Sequence, residues 1–297
     1  YWILCGTKRW SMREGKPSKT ALKVATIIVA LGAKPDADQI LNPGLLEATE
    51  DLLLASGVLG EKALRWTKTQ RMVSIYEAFD WMLPGQFQAI GERKVFCEHQ
   101  VRDAISAGAT QILVLGAGFD TMGWRLAPEF PHVSFFEIDH PATARPKAKG
   151  IAAMGQRDNL FLIPSDLGNR KLIDTLAANN SWRSDAQSII VAEGLLMYLP
   201  GDAVVDLFSQ CAAVSGAKSR IIFTYIPAST DGRLDVGKWT GLVLWLQKIT
   251  GEPWLWSMQP KNLTSFLAEL GWKNDPVLEG GAGRHGAELY TVATKEI

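Results

Sequence analysis

The residues whose types and spacing could do chemistry together run from Gly116 to Tyr198, and acids dominate them. The first group is Val114-Leu115-Gly116-Ala117-Gly118-Phe119-Asp120-Thr121. An apolar run ending in Gly-x-Gly reads as a buried strand that turns sharply into a helix. Gly116 and Gly118 permit the unusual dihedrals of such a turn and let a ligand approach the backbone. A dinucleotide fingerprint has a third small residue at position 121, beside a pyrophosphate. Here Thr121 stands at that position, next to Asp120. A carboxylate is repelled by a diphosphate and gains nothing from a helix N-terminus. It suits a ligand with a cationic amino group. S-adenosylmethionine carries an ammonium, a sulfonium and no phosphate, so the turn is expected to hold that cofactor rather than a dinucleotide.

Three further acids follow. The run Phe135-Phe136-Glu137-Ile138-Asp139 reads as a second strand with Asp139 at its carboxyl end. An acid about 20 residues after the glycine turn is where an adenosine ribose presents its two hydroxyls, and one carboxylate can accept from both. In Ile163-Pro164-Ser165-Asp166-Leu167, Asp166 is suited to the adenine amino group and Leu167 to the ring face. Glu193 closes a fourth run, Val191-Ala192-Glu193-Gly194-Leu195. Each acid alone has an ordinary explanation as a helix N-cap or a solvated side chain. Four of them at the carboxyl ends of four successive strands converge on one crevice.

Methyl transfer is an in-line displacement, so alignment of acceptor and sulfonium is the main requirement. A carboxylate acceptor needs no base, whereas a phenol or alcohol benefits from one. The candidates are His140, directly after Asp139, and Tyr198, in a strand-to-helix loop facing the crevice. Each has a competing structural reading, as a hydrogen bonder and as a core residue. His99, His132 and His285 show no partner pattern. No Ser/His/Asp or Cys/His arrangement points to covalent catalysis.

These residues need a scaffold that brings strand ends together. Short apolar runs at Gln111–Leu115, Val133–Ile138, Leu160–Ile163, Ser188–Ala192 and Arg220–Ile226 alternate with helical stretches, the texture of βαβ units and a mostly parallel sheet. Two tail candidates, Pro276–Leu278 and Ala287–Ala293, flank the glycine-rich stretch 280–283 and would pair as an antiparallel hairpin. From Ser18 to about Ala107 the apolar spacing is helical, for example Ala21, Leu22, Val24, Ala25, Ile28 and Val29. The expected fold is α/β: a Rossmann-like class I methyltransferase with a mostly parallel seven-stranded sheet. A helical N-terminal cap is expected over residues 1–108, and the cofactor-binding α/β domain over 109–297. Residues 229–260, with Trp239, Trp245, Trp254 and Trp256, are expected to form a lid over an apolar acceptor pocket.

With 31 basic and 31 acidic side chains among 297 residues, the chain has no global field that recruits nucleic acid or anionic membrane. The apolar stretch Ala21 to Ala33 contains Lys23 and is too short to span a bilayer. Cys5, Cys97 and Cys211 are far apart and form no CxxC pair. A disulfide framework or metal site is therefore not expected, and a cytoplasmic setting is.

The stretch Leu115 to Thr121 with Trp124-Arg125-Leu126 resembles the leucine carboxyl methyltransferase family and its bacterial O-methyltransferase relatives. Phe136-Glu137-Ile138-Asp139-His140-Pro141 with Lys147, Asp166-Leu167, and Ala192-Glu193-Gly194-Leu195 with Tyr198 match in order and spacing. Pro17-Ser18-Lys19-Thr20-Ala21 looks like the small-residue opening of the bacterial members. The resemblance implies that Gly116 and Gly118 face the methionine part of S-adenosylmethionine. By the same match Asp139 holds the ribose, Asp166 and Leu167 the adenine, and Glu193 the amino-acid end. Arg93 stands where the family has an arginine that pairs with the cofactor carboxylate. The chain departs from bacterial relatives at Met122, where they have Arg, and at Glu98, where they often have Asp. The expected activity is O-methylation of a hydroxyl or carboxylate on a small molecule, such as a polyketide-type natural product. A protein C-terminal carboxyl methyltransferase and a nicotinamide-dependent oxidoreductase are the alternatives.

Overall fold

The computed structural model describes residues 17–280 and 287–296. Helix α1 (Lys19–Leu31) begins where the Ser18 hydroxyl accepts the Ala21 N–H at 3.1 Å. A serine at this position satisfies an amide that the helix itself cannot. Ala25, Ile28 and Val29 lie on its buried side. Five more helices follow: α2 (Ala37–Ile40), α3 (Leu45–Ser56), α4 (Glu61–Thr67), α5 (Gln70–Ala78) and α6 (Gln86–Ser106).

Strands and helices then alternate. They are β1 (Gln111–Leu115), α7 (Met122–Leu126), β2 (Ser134–Asp139), α8 (Pro141–Met154), β3 (Leu160–Pro164), α9 (Leu172–Ala177) and β4 (Ser188–Ala192). After them come α10 (Gly201–Ala213), β5 (Arg220–Tyr225), α11 (Thr240–Thr250), α12 (Leu263–Glu269), β6 (Trp272–Gly280) and β7 (Leu289–Lys295). The seven strands form one sheet in the order β3-β2-β1-β4-β5-β7-β6. The first five are parallel, and β7 runs antiparallel to both β5 and β6. The glycine-rich residues 281–283, expected to join β6 to β7, lie outside the described residues, as does His285.

β1 and β4 are buried at every position, which is why they read as unbroken apolar runs rather than alternating ones. Leu113, Phe136, Ile190 and Phe223 share one core with Leu207 and Phe208 of α10 and Leu267 of α12. Ile112, Phe135, Ile189 and Ile222 share another with Val101 and Ala104 of α6. The start of α6 packs elsewhere, Phe87 and Ile90 against Ile28 and Leu31 of α1. Helix α6 therefore belongs to both regions, and the helical layer and the sheet are joined along it.

Strand order reverses between β1 and β4. At such a switch point the connections leave in opposite directions and open a crevice beyond the carboxyl ends of the strands. The antiparallel β7 brings its first residues to the same end, because Leu289 lies opposite Tyr225, the last residue of β5.

The four tryptophans of 229–260 do not act together. Trp256 is part of the core under the sheet. Trp239 meets Trp81 edge-on at 4.8 Å, and Trp245 is exposed. Only Trp254 of the four reaches the crevice. No described helix is long and apolar enough to cross a membrane. Cys97 and Cys211 are free and buried, and among the described residues no cluster of His, Cys, Asp or Glu could hold a metal ion.

Candidate active site

Leu115 delivers the chain into a turn whose glycines sit at φ +65° (Gly116) and +50° (Gly118). Both are left-handed conformations that side chains disfavour. A Cβ on Gly116 would stand 3.0 Å from Leu195, and one on Gly118 would stand 3.0 Å from Ala21. Part of the room that glycine provides is thus taken by the chain itself, which closes α1 and the β4 loop onto the turn. Gly116 and Ala117 donate to the Ile138 carbonyl at 2.9 and 3.2 Å, tying the turn to β2. Asp139 completes the tie: one carboxylate oxygen accepts the Gly118 N–H and the other the His140 N–H at 2.6 Å. Burial raises the Asp139 pKa above the ordinary range despite these two amides and the Lys147 charge.

Beyond the turn lies a buried charge network. Arg93 of α6 donates through Nε to Glu193 at 2.8 Å and through a terminal nitrogen to Glu288 at 2.5 Å. Lys94, its neighbour, contacts Asp120 and lies 3.0 Å from Glu193. Asp120 also accepts the Met122 N–H at 2.6 Å. Burial opposes the charge on each group, yet the opposite charges win. Lys94 is held above the ordinary lysine range by Asp120 and Glu193, and Asp120 well below the usual carboxylate range by Lys94 and Lys147. Burial pushes both described cysteine thiols up, so neither is a nucleophile at neutral pH.

These groups face a cavity of about 230 Å³. Gly116, Ala117, Gly118, Asp120 and Asp139 line it from the strand side, Glu193 and Tyr198 from β4 and its loop, and Arg93 and Lys94 from α6. Helix α1 contributes Thr20, Ala21 and Val24. Gln247, Glu252 and Trp254, from α11 and the stretch after it, line it as well, with Glu288 before β7 and Leu83, Gln86 and Ile90 at and before the start of α6. Glu252 grips the start of α1: its carboxylate accepts from the Lys19 and Thr20 amides at 3.1 and 3.0 Å and from the Ser18 hydroxyl at 3.0 Å.

Of the residues singled out in the sequence, the structure gathers Arg93, Gly116, Gly118, Asp120, Asp139, Glu193 and Tyr198 around this cavity. It does not bring His140, Asp166 or Leu167 to its wall. The His140 ring accepts the Ala142 N–H at 3.2 Å as the N-cap of α8. Asp166, 3.9 Å from His140, accepts from Gly168 and Asn169 in its own turn. A histidine whose Nδ1 is committed to a helix cap, outside the cavity, lacks the geometry of a base. Two departures from the family also resolve structurally. Met122 is buried in the sheet core, and Glu98 binds Arg125 at 2.6 Å and Asn42 at 2.9 Å, away from the cavity.

Sequence reasoning missed Lys94, Glu252 and Glu288. Lys94 had a signal, its adjacency to Arg93. The two glutamates had none, being single acids far along the chain from their partners.

The cavity's buried chemistry can be compared with what a ligand requires. Asp120, Asp139, Glu193, Glu252 and Glu288 face it, against two enclosed cations, the buried Arg93 and the partly buried Lys94, and an exposed one, Lys23. An acidic excess accommodates a ligand with net positive charge and repels a diphosphate, while the two cations offer a place for one carboxylate. The donor set fits S-adenosylmethionine.

A model of the leucine carboxyl methyltransferase family matches residues 46–212, more than half of the chain. The chain belongs to the leucine carboxyl methyltransferase family. Among similar proteins is one from Mycolicibacterium paratuberculosis, described provisionally as an S-adenosyl-L-methionine-dependent methyltransferase. It is 28% identical over 218 residues, covering 72% of this chain and 67% of its own. A Frankia alni protein of the same description is 28% identical over 214 residues, 69% and 68% of the two chains. A solved structure from Thermobifida fusca, described provisionally as a methyltransferase, superposes with a TM-score of 0.59 at 15% identity. It covers 96% of this chain and 97% of its own, a likeness of fold.

Proposed function

We propose that this methyltransferase family member moves the methyl group of S-adenosylmethionine to an oxygen, hydroxyl or carboxylate, of a small molecule such as a polyketide-type natural product. Family membership and the described activity of its relatives give the enzyme class and the cofactor. The observation that carries the reading is the acid-rich buried cavity at the switch point, with Arg93 and Lys94 side by side in its wall.

Bound there, S-adenosylmethionine supplies an electrophilic methyl carbon on a sulfonium. Glu193 receives the ammonium, and Arg93 with Lys94 receives the carboxylate at the methionine end. The backbone of Gly116 and Gly118 passes beneath the methionine chain. Asp139, held in place by two amides, keeps spare lone pairs for the ribose hydroxyls. Asp166 and Leu167 serve the adenine from beside the cavity. Tyr198 stays a protonated phenol, because burial raises its pKa, as do the charges of Glu288 and Glu252, beyond what Trp254 and Thr20 offset. It therefore orients an acceptor as a donor rather than removing a proton. The wall formed by Gln247, Glu252 and Trp254 excludes water and works as the lid.

The family's name favours a second reading, a protein C-terminal carboxylate as acceptor. Incubation with methyl-labelled S-adenosylmethionine and a cell extract separates the two. Label in the organic-extractable small-molecule fraction is expected, and label confined to precipitated protein, released by mild base, contradicts the proposal. Paired alcohols and acids of one skeleton then distinguish hydroxyl from carboxylate.

A further inference from the structure

Glu193 and Glu288 reach the crevice on either side of β5. Glu193 follows the last residue of β4, which lies along one edge of β5, and Glu288 precedes the first residue of β7, which lies along the other. Arg93 bridges them, with Nε on Glu193 at 2.8 Å and a terminal nitrogen on Glu288 at 2.5 Å. The Ala287 amide, donating to the Gln86 side chain at 2.8 Å, fixes the backbone beside Glu288. The two carboxylates differ in what they have left to bind. Glu193 is engaged at both oxygens, one by Arg93 and Lys94 and the other by Lys94 at 3.1 Å. Glu288 gives one oxygen to Arg93, while no described residue donates to the other, the buried Oε2. The residue lines the cavity. A buried carboxylate oxygen without a donor is costly, and a ligand that brings an N–H removes that cost.

We propose that Glu288 is a further cofactor-binding residue, whose Oε2 accepts a hydrogen bond from the α-ammonium of S-adenosylmethionine alongside Glu193. This rests on the reading of the cavity as an S-adenosylmethionine site. In an α-amino acid the ammonium and the carboxylate share one carbon. A ligand whose carboxylate is held by Arg93 and Lys94 therefore sets its ammonium beside the acids that flank them. Of these, Glu288 has the oxygen that lacks a donor. An ammonium carries three N–H groups, enough for both glutamates. The pair makes the site demand a free, charged amine, because a ligand without one leaves Oε2 unsatisfied. The role of Glu288 is confined to the amino-acid end of the cofactor.

Calorimetry with three ligands tests this: S-adenosylhomocysteine, its analogue with hydrogen in place of the amino group, and 5′-methylthioadenosine, which lacks the whole amino-acid end. The wild-type chain is expected to prefer S-adenosylhomocysteine to the desamino analogue about 100-fold, the effect of two charge-assisted hydrogen bonds. In Glu288→Gln that preference falls to about tenfold, while the desamino analogue and 5′-methylthioadenosine bind at most about twofold more weakly. Glu288→Asp, which keeps the charge but withdraws it, loses part of the preference and decides the matter if the glutamine variant does not fold. No preference in the wild type, or a preference unchanged in the folded variants, overturns the proposal. So does an equal loss of S-adenosylhomocysteine and the desamino analogue, which would mean that Glu288 acts only by positioning Arg93 for the carboxylate. Failure of the wild type to bind either S-adenosylhomocysteine or 5′-methylthioadenosine refutes instead the cofactor reading on which it rests.

Discussion

Glu193 answers to two cations at once, Arg93 Nε at 2.8 Å and Lys94 Nζ at 3.0 Å, in a place almost closed to water. On the proposed assignment, removing its charge strips the cofactor's ammonium of its partner, and it leaves Arg93 and Lys94 in excess. Charged hydrogen bonds of this kind contribute about 1.5–3 kcal/mol each. Glu193→Gln is therefore expected to weaken S-adenosylhomocysteine binding at least about tenfold by calorimetry, and unchanged affinity in a folded variant would contradict its role. Asp120 gives the pH dependence. Its folded-state pKa is depressed by Lys94 and Lys147 against the effect of burial. Its contribution to stability is thus complete above the ordinary aspartate value of about 3.9 and is lost as pH falls below it. Lys94→Met removes the main cause, so melting temperature measured from neutral to acid pH should start lower and fall less steeply. Asp139, Glu193 and Arg93 were legible in the sequence because parallel strands deliver their carboxyl ends to one edge, and because the family match fixes a spacing. Glu288 was not, because its contact with Arg93 spans 195 positions, and the apolar run Ala287–Ala293 signals a strand without saying which distant group its flanking acid meets.

At the scale of elements, the strand runs were legible because burial on both faces leaves a plain apolar signature. The contact between α1 and the stretch after α11 was not, since it rests on one carboxylate meeting two backbone amides. An acid at a helix N-terminus satisfies free N–H groups and faces the favourable end of the dipole, and Glu252 does this for α1 from 232 to 234 positions away. Both elements line the cavity, so loosening the grip is expected to loosen its wall on both sides. Glu252→Gln is expected to raise hydrogen exchange at the Lys19 and Thr20 amides and to speed S-adenosylhomocysteine release in stopped-flow fluorescence. Trp254 in the wall provides the signal. Unaltered exchange at these amides would show that the grip does not hold α1. The tryptophan count suggested a single aromatic wall, but a ring serves a core or a surface pair as readily as a pocket, and composition cannot separate these uses.

The whole molecule is neutral, with 31 charges of each sign, yet its cavity is acid-rich. Global balance gives no reason to expect a polyanionic partner, but it conceals the local acidic excess that lines the cavity. The family and the sheet order support a methyltransferase; the sheet alone would also serve a dinucleotide enzyme. What distinguishes them is the set of carboxylates where a diphosphate would lie. Calorimetric titration with S-adenosylhomocysteine and, separately, with NADH tests that claim most directly. One S-adenosylhomocysteine is expected to bind per chain, with no detectable heat from NADH, and tight NADH binding with none of S-adenosylhomocysteine would contradict the account.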